Sequence, residues 1–206
     1  MQLPTEALDR ARALLEGGER RLLGITGSPG AGKSTVAALL QAALGPVAQV
    51  VPMDGFHLAQ AELERLGRAH RKGAPDTFDA PGFVALLRRL RAPQPGETVY
   101  APEFRRELEE PIAGALAVPP GLPLLIIEGN YLLLESETWD EVRPMLDDCW
   151  HITVAQEQRL AQLIARHERH GRTPEQAREW ALTNDEPNAR LIEAAAYRAN
   201  WQMPWS

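Results

Sequence analysis

The chain has 206 residues, and its 22 lysines and arginines against 28 aspartates and glutamates give a net charge of −6. This length is typical of one domain with a small lid or insert, and the acidic balance argues against a nucleic-acid binder that works by bulk charge. Apolar residues make up 44% and charged residues 24%, which argues against a disordered or fibrous protein. The single cysteine, Cys149, cannot form an internal disulfide. With neither a membrane span nor a secretory signal pattern, we expect a cytoplasmic protein that binds no membrane.

Apolar runs alternate with helical patterns along the chain. In the first half, the patterns predict a helix over 5–17, a strand over 20–26, a helix over 36–44, a strand over 47–52, a helix over 58–68, a loop over 70–81 and a helix over 83–90. Extended pieces at 97–104 and 112–118 follow, then strands over 123–127 and 149–154 and helices over 156–170, 174–182 and 187–198. Buried strands between helices predict a parallel sheet covered on both faces, an α/β fold of the doubly wound type.

A phosphate-binding pattern follows the first predicted strand. The segment GSPGAGKS fits G-x-x-x-x-G-K-[ST] at every position. Glycines let backbone N–H groups turn toward phosphate oxygens, and the following helix adds the positive end of its dipole. Lys33 is expected to reach the β- and γ-phosphates, and Ser34 to offer its hydroxyl to Mg²⁺. We therefore predict a nucleoside triphosphate site formed by Gly27, Ser28, Pro29, Gly30, Ala31, Gly32, Lys33, Ser34 and Thr35.

A carboxylate follows the second predicted strand. Asp54 is placed where a parallel sheet opens into its ligand crevice, so it can accept the proton of an attacking hydroxyl. Binding Mg²⁺ through water and capping the next helix are the alternatives. The chain has no Asn-Lys-x-Asp segment that reads guanine and no LSGGQ-like segment, which argues against a GTPase and a transporter ATPase.

Four further segments carry a family resemblance. They are MDGFH at 53–57, PDTFD at 75–79, EGN at 128–130 and ARHERHGR at 165–172. Their order resembles the superfamily of uridine kinases, phosphoribulokinases and type I pantothenate kinases. RKGAPDTFD, YAPEF and EGNYLLL most resemble the bacterial nucleoside/nucleotide kinase-like group, in which some members are labelled fructose transport system kinases. Uridine kinases have Tyr-Asp where this chain has Tyr100-Ala101, so the resemblance does not identify an acceptor.

The resemblance implies an architecture and a set of roles. It implies a three-layer α/β/α P-loop fold with a mostly parallel sheet, in one domain over 1–206, with an acceptor-side insert at about 70–118 and a small helical lid at about 156–175. Glu128 would join Ser34 at Mg²⁺, and Arg166 and Arg169 would close over the γ-phosphate. From their places in the chain, the acceptor-side residues Asp54, His57, Asp76, Asp79, Tyr100 and Arg106 are also expected to hold the acceptor, with a packed histidine or ordinary surface residues as the alternative. Among them, Asp76 and Asp79 gain most from the resemblance.

These expectations describe a kinase that uses ATP and Mg²⁺ to phosphorylate the hydroxyl of a small molecule. The acceptor stays open among a nucleoside, a sugar and a pantothenate-like alcohol. The competing interpretation is a regulatory ATP-binding protein that uses nucleotide occupancy as a switch. We expect no nucleic-acid partner and leave open a homodimer, and also whether the WQMPWS tail packs beside the adenine or between subunits.

Overall fold

A five-stranded sheet forms the centre of the computed structural model, which describes residues 2–205. All its strand pairs are parallel, in the order β2-β5-β1-β6-β7. The strands are β1 (Arg21–Thr26), β2 (Ala48–Pro52), β5 (Leu124–Glu128), β6 (Asp148–Thr153) and β7 (Trp201–Pro204). Every residue of β5 is buried, as expected for a central strand covered on both faces.

Helices cover both faces of the sheet. They are α1 (Thr5–Ala13), α2 (Lys33–Leu44), α3 (Gln60–Arg65), α4 (Ala80–Arg91), α5 (Gln156–Arg169), α6 (Pro174–Trp180) and α7 (Glu186–Ala194). Successive strand residues point to opposite faces, so Leu23 of β1 packs with Val36 of α2, whereas Leu22 belongs to the core that contains Phe83 of α4. The predicted three-layer α/β/α fold is therefore confirmed. Among the described residues, no helix is long and apolar enough to cross a membrane.

The two predicted extended pieces pair as a hairpin beside the sheet. Strands β3 (Val99–Arg105) and β4 (Glu110–Val118) are antiparallel, with a register shift between Ala101 and Glu103. The hairpin packs closely on the turn after β2. A side chain at Gly55 would bring its Cβ to 2.3 Å from the carbonyl oxygen of Pro102, so this approach requires glycine.

The end of the chain differs most from its prediction. The last helix ends at Ala194 rather than at 198, and the tail adds the edge strand β7 to the sheet. Trp201 lies beside Trp150 of β6, with ring centroids 5.0 Å apart. A four-residue strand is formed by pairing with its neighbour, so its own sequence gives little periodic signal. The prediction also missed the π-helical turn Ala181–Asp185 between α6 and α7.

Candidate active site

The predicted phosphate loop joins β1 to α2 in a conformation that needs its glycines. Gly30 and Gly32 have φ of 83° and 87°, in the left-handed region. A Cβ at Gly30 would lie 2.8 Å from the carbonyl oxygen of Arg159, and one at Gly32 would lie 2.8 Å from Nε1 of Trp205. Lys33 is buried within this loop, where its Nζ donates a hydrogen bond to the carbonyl oxygen of Ser28 at 3.2 Å. Neighbouring residues therefore pack tightly against the loop, and the Lys33 side chain already points toward the loop backbone.

Two networks of polar side chains connect the phosphate loop to the helices and the strand packed against it. Ser28 donates a 2.6 Å hydrogen bond from Oγ to Glu193 of α7, whose other carboxylate oxygen lies 3.2 Å from Nε2 of the buried His151. Arg159 of α5 donates to the carbonyl oxygen of Pro29 at 3.2 Å and forms a buried ion pair with Glu186. These contacts link the loop to α5 and α7, so the predicted lid helix α5 and the loop are positioned together.

A cavity of about 450 Å³ opens beside the loop, where β2 and β5 end. The ends of parallel strands meet at one edge of a sheet, which is why residues from distant segments converge here. The predicted site residues that line it are Pro29, Lys33, Ser34, Asp54, His57, Arg106, Glu128 and Arg166. The loop itself and the first turn of α2 contain the other predicted nucleotide contacts, Gly27, Ser28, Gly30, Ala31, Gly32 and Thr35.

Asp54 lies on the turn after β2 with its carboxylate available. Its Oδ2 is 3.5 Å from a guanidinium nitrogen of Arg106, and in the described part of the chain it caps no helix. His57 Nδ1 lies 2.7 Å from the Asp54 carbonyl oxygen and must donate to it, because a carbonyl oxygen only accepts. Burial lowers the pKa of His57, so its ring is neutral near pH 7. This geometry suits a carboxylate that receives a proton.

Glu128 ends β5 as a buried carboxylate without a salt-bridge partner among residues 2–205. Burial, with the nearby charge of Asp54, raises its pKa to about 7, although Lys33 opposes the shift. Ser34 lines the same cavity, and a carboxylate with a hydroxyl is an oxygen donor set that suits Mg²⁺. The described residues contain no group of three or more acidic, histidine or cysteine side chains placed to hold a metal. The pair therefore fits a Mg²⁺ that takes its remaining ligands from phosphate oxygens and water.

The raised pKa of Glu128 predicts how stability depends on pH. Between its ordinary pKa of 4.5 and about 7, the folded chain binds a proton at Glu128 that the unfolded chain has released. The free energy of unfolding contributed by this group is therefore highest below pH 4.5 and falls as the pH rises to about 7. Urea unfolding across this range should show the fall as the difference between the nucleotide-free wild type and Glu128→Gln. A pH-independent difference between the two proteins would contradict it.

Helix α5 presents one of its two predicted lid arginines to the cavity. Arg166 lines it together with its neighbour His167 and with Leu163 and His170, about one helical turn to either side. Arg169 is exposed and its Nε contacts the carbonyl oxygen of Ala165 at 3.3 Å. At 100° per residue, Arg169 lies about 60° round the helix from Arg166, outside the cavity-lining face.

Because only Arg166 faces the cavity, substitutions of the two arginines should have different effects on activity. If Arg166 has its predicted lid role, Arg166→Gln should lower kcat by about 10²-fold or more, because the cation expected to close over the γ-phosphate is lost. Arg169→Gln should stay within about twofold of wild type, as an exposed substitution does. Steady-state kinetics on the two matched variants checks this, and equal losses would contradict the assignment.

Three predicted acceptor residues lie outside the cavity. Asp76 pairs with Arg71 at 2.7 Å and with Arg68 at 3.4 Å. Asp79 caps α4 by accepting a 2.9 Å hydrogen bond from the backbone N–H of Gly82. Tyr100 is 58% exposed on β3. The irregular segment that holds both aspartates has no periodicity from which a side-chain direction could be derived, so the structure was needed to place them.

Other cavity residues were outside the predicted set. They include His167, Trp180, Asp185 and Asn188. His167 Nε2 lies 2.8 Å from Oδ2 of Asp185. Helical spacing from Leu163 and Arg166 could have identified His167. Asp185 depends on the π-helical turn, which changes which residues face the cavity and has no clear sequence signal.

Comparisons with known proteins agree with this geometry. The family model described as "Phosphoribulokinase / Uridine kinase family" matches residues 22–195. The "Putative uridine kinase C227.14" of Schizosaccharomyces pombe is 34% identical over 91% of this chain and 84% of its own length. A solved structure described as a "putative fructose transport system kinase" from Silicibacter sp. is 39% identical, with a TM-score of 0.84 over 97% of this chain and 98% of that chain. YFH7 from Saccharomyces cerevisiae has a TM-score of 0.83 over the same shares at 20% identity, which shows the fold alone.

Proposed function

Because the chain belongs to the phosphoribulokinase/uridine kinase family, we propose that it transfers the γ-phosphoryl group of MgATP to the hydroxyl of a small molecule. Family membership supports a small-molecule kinase. The observation that carries the finer proposal is the convergence of Lys33, Asp54, Glu128 and Arg166 on one cavity. A phosphate-binding lysine, a carboxylate beside it and a lid cation are the groups that phosphoryl transfer to an alcohol requires.

Each residue has a distinct part in this proposal. Lys33 and the loop N–H groups bind the β- and γ-phosphates, and Ser34 and Glu128 would hold Mg²⁺. When bound, Mg²⁺ would neutralise negative charge on the phosphate oxygens. Arg166 stabilises the charge on the transferred group and helps to exclude water.

The transfer itself needs one proton acceptor. The acceptor oxygen forms a bond to the γ-phosphorus while the bond from that phosphorus to the bridging oxygen of ADP breaks. The hydroxyl proton passes to the carboxylate of Asp54, and ADP leaves with the bridging oxygen. Arg106, at 3.5 Å from Asp54, helps to orient that carboxylate.

Release of ADP from MgATP tests the proposal. The panel comprises nucleosides, free sugars, sugar phosphates and pantothenate, each against a reaction without acceptor. Release that depends on one acceptor class supports the kinase and identifies the class. Tight ATP binding with no acceptor response would favour a regulatory protein that uses nucleotide occupancy as a switch.

A further inference from the structure

Two cations in the cavity have no part in the proposed transfer. Lys72 comes from the acceptor-side segment and Arg172 follows the lid helix, and both line the cavity. Within the described part of the chain, neither side chain forms a salt bridge. Cations that line a cavity and are not held in a salt bridge are available to an anionic ligand.

Two aromatic rings lie between the backbone of Asp54, the proposed base, and the ammonium group of Lys72. His57 contacts Asp54, and its ring lies 4.8 Å from the ring of Phe104. Lys72 Nζ lies 5.4 Å from the Phe104 ring centroid. These contacts connect the Asp54 backbone to the Lys72 ammonium through two aromatic rings. Asp54 and Lys72 line the same cavity, so one ligand can present a hydroxyl to the first and an anionic group to the second.

One backbone oxygen and one side-chain oxygen hold the Lys72 ammonium in place and leave part of it free. Nζ donates to the carbonyl oxygen of Glu109 at 2.7 Å and to Oε1 of Gln60 at 3.4 Å. An ammonium has three donors, so one remains for a ligand. Glu109 has φ of 54°, the left-handed region, at the tip of the hairpin. Hairpin loops commonly contain a residue in this conformation, and here its carbonyl oxygen is the one that accepts from Lys72.

Arg172 is held by an aromatic side chain at the end of α6. Its guanidinium carbon lies 3.7 Å from the ring of Trp180, so the two groups stack. Burial lowers the pKa of Arg172, while the carboxylates of Asp185 and Glu109 oppose the shift. A stacked guanidinium keeps its N–H donors in one plane, which suits a carboxylate or a phosphate group.

We infer that the acceptor is itself an anion, whose carboxylate or phosphate group is bound by Lys72 and Arg172 while its hydroxyl lies at Asp54. This inference rests on the proposed function and narrows its acceptor class. The competing explanation is structural: Lys72 only connects the hairpin tip at Glu109 to Gln60 of α3 by hydrogen bonds. Lys72→Gln separates the two, because glutamine can still donate to the Glu109 carbonyl oxygen but carries no charge.

Anion binding can be measured without knowing the acceptor. With the nucleotide site filled by Mg²⁺ and a non-hydrolysable ATP analogue, inorganic phosphate and acetate are titrated separately by calorimetry. Wild type should bind one equivalent of anion, and Lys72→Gln and Arg172→Gln should each weaken it by about tenfold or more. Arg65→Gln removes an exposed cation outside the cavity and should leave the affinity unchanged. Tighter binding of phosphate than of acetate would favour a phosphorylated acceptor, and the reverse a carboxylate.

Kinase assays with matched acceptors complete the test. The pairs are pantothenate with pantothenol, D-glycerate with glycerol, and ribulose 5-phosphate with ribulose. The charged member of the productive pair should have the higher kcat/KM, and Lys72→Gln should raise its KM without changing the KM for ATP. Preference for a neutral member, no saturable anion binding by wild type, or unchanged binding in Lys72→Gln overturns the inference while leaving the kinase intact. Anion binding without ADP release from any pair instead counts against the proposed function.

Discussion

Replacing Asp54 with asparagine is expected to lower kcat by a factor of about 10² to 10⁴ and to leave the affinity for ATP within about twofold. Asparagine keeps the size of the side chain and an oxygen for Arg106, but it cannot take the acceptor proton at this step. Asp54 lies after β2, on a different segment from the loop that binds the phosphates. Single-turnover kinetics with a separate ATP-binding measurement would distinguish the two effects.

Asp76→Asn is the matched control for this substitution. The same chemical change is made at a carboxylate that the resemblance also implies at the acceptor, yet Asp76 pairs with Arg71 outside the cavity. Its kcat should stay near that of wild type, with a small loss of stability at most. Unchanged turnover in Asp54→Asn, or an equal loss in both variants, would show that Asp54 is not the base.

Replacing Lys33 with methionine is expected to abolish nucleotide-dependent stabilisation and to lower kcat/KM by at least about 10²-fold. The apolar stem is retained, so the change removes the charge and the hydrogen bond to Ser28. A second effect follows at Glu128, because Lys33 holds the pKa of that carboxyl down. Without the lysine, the carboxyl keeps its proton to higher pH and becomes a weaker Mg²⁺ ligand.

Thermal unfolding with and without MgATP checks this prediction. Wild type should unfold at a higher temperature when MgATP is present, since a ligand that binds only the folded state stabilises it. Lys33→Met should show no such increase, while its Tm without nucleotide should not fall, because burial already disfavours the lysine charge. Arg65→Met, an exposed control, should respond to MgATP as wild type does. A full increase in Lys33→Met would contradict the role of Lys33.

The residues that follow strands were the ones that sequence could place. Glu128 ends β5, Asp54 lies two residues after β2, and Lys33 follows the loop after β1; the carboxyl ends of these parallel strands meet at one edge of the sheet. That rule alone brings three distant segments to one cavity. On α5, the sequence placed Arg166 at the cavity but also placed Arg169 there, which is exposed. Arginines spread over a broad face of a helix do not show which of them point to the cavity.

The remaining parts of the site depend on tertiary contacts. The direction of Asp76 is set by its ion pairs with two arginines in an irregular segment. The tail forms an edge strand because β6 offers it backbone partners, and Trp205 then packs against Gly32 of the phosphate loop. Such contacts have no periodic signature in the sequence.

Following the γ-phosphoryl group tests the central claim most directly. The enzyme is incubated with Mg²⁺, ATP carrying an isotopic label in its γ-phosphoryl oxygens, and the acceptor that gives ADP release, and the products are analysed by mass spectrometry. The proposed function predicts the label in an acceptor heavier by one phosphoryl group, formed in step with ADP and lost in Asp54→Asn. Label found only in inorganic phosphate, with the acceptor unchanged, would contradict it.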